Sequence, residues 1–170
     1  FGAFLTHGAE LELVGEANDY VGKGMGGGRI VIRPPADDLL RGQERPRGSS
    51  SVLAGNTCLY GATGGELFIA GAAGERFAVR NSAAVAVVEA VGDHCCEYMT
   101  GGTVAVLGRI GYNLGAGMTG GQAFVWDPVA ERILTRVNQD LVEVLRPDHD
   151  GLQELRWLVE RHVELTGSAR

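Results

Sequence analysis

The sequence lacks the features of several large protein classes. Its 15 Lys and Arg are outnumbered by 21 Asp and Glu, so the clustered basic residues that bind nucleic-acid phosphates are missing. No apolar run approaches the roughly 18 residues of a membrane helix, and no secretory signal peptide is visible. Three cysteines, Cys58, Cys95 and Cys96, are too few for a secreted disulfide framework. We therefore expect a cytoplasmic protein, and the first residue, Phe1, suggests a piece of a longer reading frame.

Glycine, in contrast, is abundant: the chain has 27 among 170 residues, about twice the usual share. No G-X-Y period accompanies them, which excludes a collagen helix. Gly22, Gly24 and Gly27 fit the G-x-G-x-x-G pattern of dinucleotide-binding loops, but the next residues, RIVIR, are typical of a strand. A dinucleotide loop needs a helix N-terminus to hold the pyrophosphate. We therefore interpret the segment as a tight corner, where glycine supplies positive φ angles.

Pairs of small residues recur along the chain at regular intervals. They are Gly27-Gly28, Gly64-Gly65, Gly101-Gly102 and Gly120-Gly121, and the intervals between their first members are 37, 37 and 19. Because 37 is close to twice 19, each longer gap is predicted to contain one more copy of the repeat. Ala83-Ala84 fills the second gap, while the first holds a blurred copy near residue 46, with Gly48 at its corner and Leu53 pointing inward. The same step predicts a first copy at Gly8-Ala9 and a degenerate last copy at Gln139-Asp140.

Apolar residues occupy fixed positions in every copy. The third and fifth residues after the first small residue are apolar, which is the period-two alternation of a strand with one buried face. These positions are Leu11 and Leu13, Ile30 and Ile32, Leu67 and Ile69, Ala86 and Val88, Val104 and Val106, Ala123 and Val125, and Val142 and Val144. A second apolar column precedes the small pairs by six residues, at Val21, Cys58, Phe77, Cys95, Leu114 and Ile133.

A repeat of about 18–19 residues with short strands and glycine corners predicts an all-β fold, a parallel β-solenoid over residues 1–146. Each turn would add one strand to every face, about 4.8 Å further along the axis, so that stacked turns bury a continuous core. The polar segment at residues 36–48, ADDLLRGQERPRG, follows Pro34-Pro35 and is interpreted as a surface insertion.

Residues 147–170 are predicted to form a C-terminal helix and tail. The apolar stripe consists of Leu152, Leu155, Val159 and Val163, with Leu158 and His162 beside it. Asp148 or Asp150 can cap the start and Gly167 the end, so the helix is expected from about 149 to 165. The stripe is expected either to cover the last turn of the solenoid or to dock on a neighbouring domain.

The three cysteines are predicted to be reduced, with Cys58 and Cys95 acting as small core residues. Cys58 and Cys95 fall in the same inward column two turns apart, about 10 Å by the strand spacing. That exceeds the roughly 4.4–6.8 Å between the Cα atoms of a disulfide. Cys96 is expected to point the opposite way from Cys95, and an adjacent pair lacks the C-x-x-C spacing of metal and redox sites.

Other polar residues also have structural interpretations. Asp93, His94 and Glu97 are interpreted as a surface polar cluster and not as acid–base groups. The histidines without partners at metal-ligand spacing are His7, His149 and His162. The asparagines near turns, where asparagine tolerates a left-handed backbone, are Asn18, Asn56, Asn81 and Asn113.

Arg76, Arg80 and Asn81 could bind an anion, although hydrogen bonds to corner carbonyls are the favoured interpretation. No Ser-His-Asp arrangement and no paired carboxylates stand out. The sequence therefore predicts no catalytic, cofactor-binding or metal-binding residue in this chain.

Four segments of the sequence resemble a known family. They are ANDYVGKGMGGGRIVIRPP, GNTCLYGATGGELFIAGAAGERFAVRNS, EAVGDHCCEYMTGGTVAVLG and GAGMTGGQAFVWD, and the closing VERHVELTGSAR extends the likeness from Phe1 to about Arg170. Together they resemble the C-terminal G-x-G-x-G repeat domain of the glutamate synthase large chain. The resemblance implies a right-handed parallel β-helix that serves as a non-catalytic structural domain. The 36–48 insertion and the Cys95-Cys96 pair are departures from the family pattern.

The same resemblance implies the partners and cofactors of a larger enzyme. An amidotransferase domain with a cysteine nucleophile would release ammonia from L-glutamine. A barrel domain with FMN and an iron–sulfur cluster would then make L-glutamate from 2-oxoglutarate. None of the family's catalytic or cofactor residues maps onto this chain. The electron donor, NADPH or ferredoxin, and the presence of a small subunit stay open, and an isolated piece could self-associate through faces that meet other domains.

Other functions fit the sequence less well. A more distant similarity is to the formylmethanofuran dehydrogenase subunit that shares the G-x-G-x-G repeats, so a stand-alone β-helix subunit of a multi-subunit oxidoreductase is the alternative. A carbohydrate-active β-helix enzyme would place a row of acids along one strand groove, and no such row is visible. A left-handed hexapeptide acyltransferase needs units of six residues, which this repeat does not contain.

Overall fold

A computed structural model of the chain describes residues 1–37, 51–128 and 132–168. Its strands are β1 (Glu10–Val14), β2 (Gly26–Arg33), β3 (Val52–Ala54), β4 (Gly64–Ala73), β5 (Val85–Ala90), β6 (Thr100–Val106) and β7 (Gly120–Val125). All of these strands pair in parallel in the order β1-β2-β4-β5-β6-β7, with β3 beside the far end of β4. The described residues therefore form a parallel β-solenoid of about five turns, as the repeat predicts.

The predicted inward positions are stacked in register. Leu67 pairs with Ala86, Ala86 with Val104 and Val104 with Ala123, so these turns advance the chain by the predicted step. These side chains lie in one continuous core with those of the second apolar column, including Val21 and Phe77. Because side chains alternate along a strand, every second side chain points into the interior, where the stacked turns bury it.

The first of the two longer gaps does not contain two turns. Ile30 of β2 pairs directly with Leu67 of β4, so the prediction of an additional copy between them is wrong. Ala54 of β3 pairs with Ala73, nineteen residues further on, and Leu53 is buried as expected. β2 and β3 are therefore two parts of one turn. Gly48 and most of the predicted 36–48 insertion lie outside the described residues.

The predicted last copy does not form a strand. A 3₁₀ helix, Ile133–Thr135, follows β7, and Leu114 forms an isolated bridge with Val137 instead of stacking on Ile133. Val142 packs near Gly115, while Val144 is largely exposed. The repeat therefore ends with β7. The residues that follow keep the apolar pattern, but Gln139-Asp140 stands where earlier turns have a pair of small residues at the corner.

One corner of every complete turn alternates between left-handed and ordinary backbone. We call it the left-handed corner and define it as residues 20–24, 57–61, 76–80, 94–98 and 113–117. Its first, third and fifth residues have φ between 54° and 69°. The non-glycine residues of the described chain with positive φ are Phe4, Tyr20, Thr57, Leu59, Arg76, Ala78, Arg80, His94, Cys96, Tyr98 and Asn113.

Backbone hydrogen bonds join the left-handed corner of one turn to the next. The N–H groups of Thr57 and Gly61 donate to carbonyls of the following turn, at 2.8 and 3.1 Å. Between them, the N–H of Leu59 donates back to the carbonyl of Val21 at 2.7 Å. The corner is therefore a second hydrogen-bonded ladder beside the β-sheet, and it satisfies backbone groups that a tight bend would otherwise leave unpaired.

The C-terminal helix α1 spans His149–Thr166, as predicted. The side chain of Asp148 accepts from the N–H of Gly151 at 2.9 Å, which caps its start. Gly167, with φ of 72°, ends it in a left-handed conformation.

α1 packs on the outer face of the sheet and does not cap the last turn, which was one of its two expected positions. Its buried residue Leu158 lies in a second apolar cluster with Phe68, Val87 and Ala105, the outward residues of three neighbouring strands. Leu152 is 52% exposed, because the buried side of the helix is rotated away from the predicted stripe. The apolar outward residues of these strands therefore determine where α1 packs.

Polar contacts fix α1 along the solenoid axis. Glu154 accepts from Thr103 of β6 at 2.9 Å and from Gln122 of β7 at 2.6 Å. Two helical turns further on, Arg161 lies 3.6 Å from Glu66 of β4. A helix of 18 residues is about 27 Å long, close to the roughly 24 Å that six strands span. The helix therefore runs back along the stack and ties its turns together.

Candidate functional site

The glycine-rich segment at residues 22–28 does not form a nucleotide site. Gly22 and Gly24 have φ of 65° and 62° and belong to the left-handed corner, which confirms the corner interpretation. The segment leads into strand β2, so the helix N-terminus that a pyrophosphate needs is not present at this loop. These residues therefore do not fit a dinucleotide.

The three cysteines are free and buried, which agrees with the predicted core positions of Cys58 and Cys95. The prediction that Cys96 points away from Cys95 is wrong, because its side chain is fully buried and the two Sγ atoms are 3.6 Å apart. The left-handed backbone at Cys96 turns its side chain inward, which strand alternation does not foresee.

The environments of Cys58 and Cys95 favour the protonated thiol. Burial raises the pKa of Cys58 to about 12. The hydrogen bond with Cys96, together with burial, raises the pKa of Cys95 well above its ordinary value. Among the residues with described positions, no group of three His, Cys, Asp or Glu could hold a metal ion.

Asp93, His94 and Glu97 form structural contacts at the left-handed corner. The Asp93 carboxylate accepts from the N–H of Tyr112 in the next turn at 2.7 Å. Glu97 lies 3.5 Å from Arg76 and 3.6 Å from His94. Each acid therefore serves the stacking of turns, as the surface-cluster interpretation predicts.

Arg76, Arg80 and Asn81 do not converge on an anion site. Arg76 pairs with the Glu97 carboxylate and Arg80 donates to the Tyr60 hydroxyl at 3.4 Å, so the predicted bonds from the arginines to corner carbonyls are wrong. Asn81 does bond to the backbone: its side chain bridges the N–H and carbonyl of Ala84, both at 2.9 Å.

The other asparagines behave as turn residues. Asn56 accepts from the N–H of Glu75 in the next turn at 2.8 Å. Asn18 accepts from the N–H of Asp19, and Asn113 has a left-handed φ of 57°. Asparagine thus serves these bends through side-chain bonds or through its tolerance of left-handed backbone, as the sequence predicts.

The other three histidines lie far from one another. The His7 ring lies against Gly27, where a Cβ would come within 2.8 Å of it. His149 contacts Gln153 on the helix surface at 2.7 Å. His162, on the buried side of α1, is fully buried, and its Nε2 lies 4.0 Å from Glu89.

A buried polar cluster around Glu89 was missed by sequence reasoning. The Ser168 hydroxyl donates to Glu89 at 2.5 Å, and Thr166 bonds the carbonyl of His162 at 2.6 Å. The signal was available, because Glu89 is the one acid in the apolar strand VAVVEA and so required a partner. The cluster fastens the end of α1 to strand β5.

An open trough of about 400 Å³ follows the small-residue pairs of the first turns. Its floor is formed by Gly27, Gly28 and Gly65, and Arg29 stands at its edge. Arg29 contacts Glu66 at 2.7 Å and Glu10 at 3.2 Å. The hydrogen bond to Glu66 raises the pKa of Arg29 above its ordinary value. The charged side chains of Glu10, Arg29 and Glu66 at the trough are thus paired with one another.

No helix in the described part of the chain is both long enough and apolar enough to cross a membrane.

Comparison with known proteins gives one consistent family. The model of the GXGXG motif family matches residues 1–170. The ferredoxin-dependent glutamate synthase of Pyropia yezoensis is 56% identical over the whole chain, which covers 11% of that protein. The chloroplastic ferredoxin-dependent enzyme of Spinacia oleracea is 51% identical over the whole chain and 10% of its own length.

The glutamate synthase [NADH] of Schizosaccharomyces pombe is 49% identical over 99% of this chain and 8% of its own length. The chain therefore spans about a tenth of the length of the curated relatives it matches.

Proposed function

Because the chain belongs to the GXGXG motif family, we propose that it is the non-catalytic structural region of a glutamate synthase large chain. The parent enzyme would make L-glutamate from L-glutamine and 2-oxoglutarate. The observation that carries this proposal is the continuous match to glutamate synthases, at about half identity, over one short region of much longer proteins. Residues 1–146 would be the solenoid and 147–170 the helix and tail that brace it.

The geometry supports a scaffold because the solenoid is tied along its axis by two independent ladders. The β-sheet joins strands β1 to β7, and the left-handed corner joins the same turns on another side. The apolar core between them is continuous from Val21 to Leu114. A body held in this way resists bending, so it can keep two catalytic domains at a fixed separation. Ammonia released in one domain would then reach the other without loss to solvent.

The cofactors of the parent would be bound in other parts of the longer chain. The described residues bring no three potential metal ligands together, so they do not fit an iron–sulfur cluster, and the 22–28 segment does not fit a nucleotide. FMN and an iron–sulfur cluster would supply the redox chemistry elsewhere. The names of the relatives differ in their electron donor, ferredoxin or NADH, so the donor of this parent has to be measured.

The test compares two activities of the intact large chain. Deleting the region equivalent to residues 1–170, or unfolding it with Phe77→Asp, should lower glutamine-dependent synthesis by roughly tenfold or more. Ammonia-dependent synthesis should be retained, because free ammonia bypasses transfer between domains. Glu12→Gln, on an exposed strand position, is the matched control and should change neither rate. Undiminished glutamine-dependent rates in both disrupted variants would overturn the proposal.

We place the parent in the cytoplasm because the chain has few cysteines and all three are free. The plant relatives are named chloroplastic, so fractionation of the source cells is needed to test this location.

A further inference from the structure

The tyrosines of this protein are concentrated at one place. All four, together with the only lysine of the chain, lie in or beside the left-handed corner. Exposed aromatic residues along this corner are Phe4 at 72%, Tyr20 at 47%, Tyr98 at 54% and Tyr112 at 55%. Exposed tyrosines with neighbouring arginines are typical of the energetically important part of protein–protein interfaces.

The corner geometry explains why the Tyr20 and Tyr98 rings face solvent. Within each turn the central left-handed residue points into the core, as Leu59 and Ala78 do, while the outer two point away from it. Stacking then repeats the outward positions from turn to turn. The Tyr98 ring lies over Gly117, where a Cβ would be 2.5 Å from the ring. Rings held in this way lose little conformational entropy when a partner binds.

Two cations flank one tyrosine of this corner. The Lys23 Nζ is 6.0 Å from the centre of the Tyr60 ring, and the Arg80 Cζ is also 6.0 Å from it. Lys23 additionally lies 5.4 Å from Tyr20, whose ring meets Tyr60 edge to face at 6.3 Å. Neither cation forms an ion pair with any residue that the structure describes. The rings hold both charges in place without neutralising them.

The acids at this corner are already engaged. Glu97 contacts Arg76 and His94, while Asp19 and Asp93 accept backbone N–H groups of the following turn at 2.7 Å. The surface formed by Tyr20, Lys23, Tyr60 and Arg80 therefore carries two positive charges that pair with no described acid, in a chain whose net charge is −6.

We propose that this surface, the aromatic–cationic patch of Tyr20, Lys23, Tyr60 and Arg80, docks an acidic segment from another domain of the longer chain. The inference rests on the proposed function, because the partner belongs to the same long polypeptide. Carboxylates of that segment would pair with Lys23 and Arg80, and its apolar atoms would lie on the tyrosine rings. Charge complementarity selects an acidic partner, and relatives about ten times longer supply the additional chain.

The single lysine makes a direct test feasible. A carbodiimide joins a lysine amine to a carboxylate only when the two are in contact, so it is applied to the intact large chain. Peptide mass spectrometry should find Lys23 linked to an Asp or Glu outside residues 1–170. Lys23→Arg keeps the charge but removes the amine, and it should abolish the product. Arg80→Glu should lower the yield by about threefold or more, as expected for the loss of an ion pair.

Arg156→Glu is the matched control, because Arg156 is exposed on α1 and pairs with Glu160. It should leave the yield unchanged. Links confined to residues 1–170 of the same copy would overturn the proposal, as would links to a second copy in a covalent dimer. The proposal would also be overturned if Lys23 of the intact chain reacted freely with an added acylating reagent and formed no cross-link with the carbodiimide. The scaffold proposal is tested by a different experiment: it fails if glutamine-dependent rates are unchanged after the region is deleted.

Discussion

Ile30 and Leu67 lie side by side on neighbouring strands although almost two repeat lengths of chain separate them. The next neighbour along the same file, Ala86, follows after a single repeat length. The interval between β2 and β4 therefore contains one turn of the solenoid and about as many additional residues as a second turn, residues 34–51, which we call the excursion. The excursion is inserted within a turn, after β2 and before β3.

We expect the excursion to be removable. Deleting residues 34–51 joins Arg33 to Val52 and restores the ordinary repeat spacing of this turn, so every strand register is kept. Shortening a closed loop costs little entropy, and the melting temperature should change by only a few degrees. Thermal unfolding followed by circular dichroism measures the effect.

Deleting residues 79–87 is the contrasting variant, because half a turn is lost and the inward and outward positions no longer stack. That variant should not unfold cooperatively. If the 34–51 deletion also lost cooperative unfolding, the excursion would be part of the fold.

Gly61→Ala isolates the energetic effect of the left-handed corner. Gly61 has φ of 63°, and a Cβ there would meet no atom within 4 Å, so only the backbone conformation opposes the change. A non-glycine residue in this region costs about 1–2 kcal/mol. We expect a loss of that size in the free energy of unfolding, measured by urea denaturation.

Gly26→Ala is the control for this change. Gly26 has no positive φ, and its added Cβ would only touch the Thr63 hydroxyl at 3.5 Å. Its effect should be within about 0.5 kcal/mol. Equal losses at both positions would contradict the conformational explanation.

Phe68→Ala should loosen α1 from the sheet. The Phe68 ring is fully buried in the outer cluster with Leu158, so its removal leaves a cavity under the helix and costs about 3–5 kcal/mol. Amide exchange in residues 149–166 should accelerate more than exchange in β6. Val163→Ala, at an exposed position of the same helix, should leave both rates unchanged. Uniform acceleration throughout the protein would show that α1 and the sheet unfold together.

Stability should fall at alkaline pH because of Cys58. In the folded state its pKa is about 12, whereas an unfolded thiol ionises near pH 8.5. Between these values the unfolded state binds fewer protons, so the free energy of unfolding decreases by about 1.4 kcal/mol per pH unit. The contribution is fully present below about pH 8.5 and is lost as the pH rises towards 12.

Cys58→Ala should reduce this pH dependence and leave the part that comes from Cys95, whose pKa is also raised, although the cavity lowers the stability at neutral pH. Urea denaturation at pH 7.5, 9 and 10 gives the two slopes. Parallel slopes for the variant and the parent protein would show that the Cys58 thiol is not the titrating group.

The inward files were predictable from sequence because their cause is local. Alternation places Leu67 and Ile69 on one side of a strand, and the regular step of the repeat aligns them with Ala86 and Val88. The ends of α1 were equally predictable, since Asp148 and Gly167 act on the backbone beside them. Each of these features needs only a short stretch of chain to be specified.

The remaining features depend on what lies far away in sequence. Spacing alone could not separate two turns from one turn with an excursion, because both give the same interval between small pairs. The buried side of α1 is selected by Phe68, Val87 and Ala105, which lie more than fifty residues earlier in the chain. The inward position of Cys96 depends on left-handed backbone at a non-glycine residue, which no local pattern announces.

The left-handed corner has an optical consequence. Within it, residues with φ near +60° alternate with residues of ordinary φ, so successive peptide groups turn in opposite senses. Backbone of opposite handedness gives circular dichroism of opposite sign. We therefore expect the contributions of residues such as 57–61 and 76–80 to offset one another in part, so that the far-ultraviolet spectrum understates how much of this protein is rigidly folded.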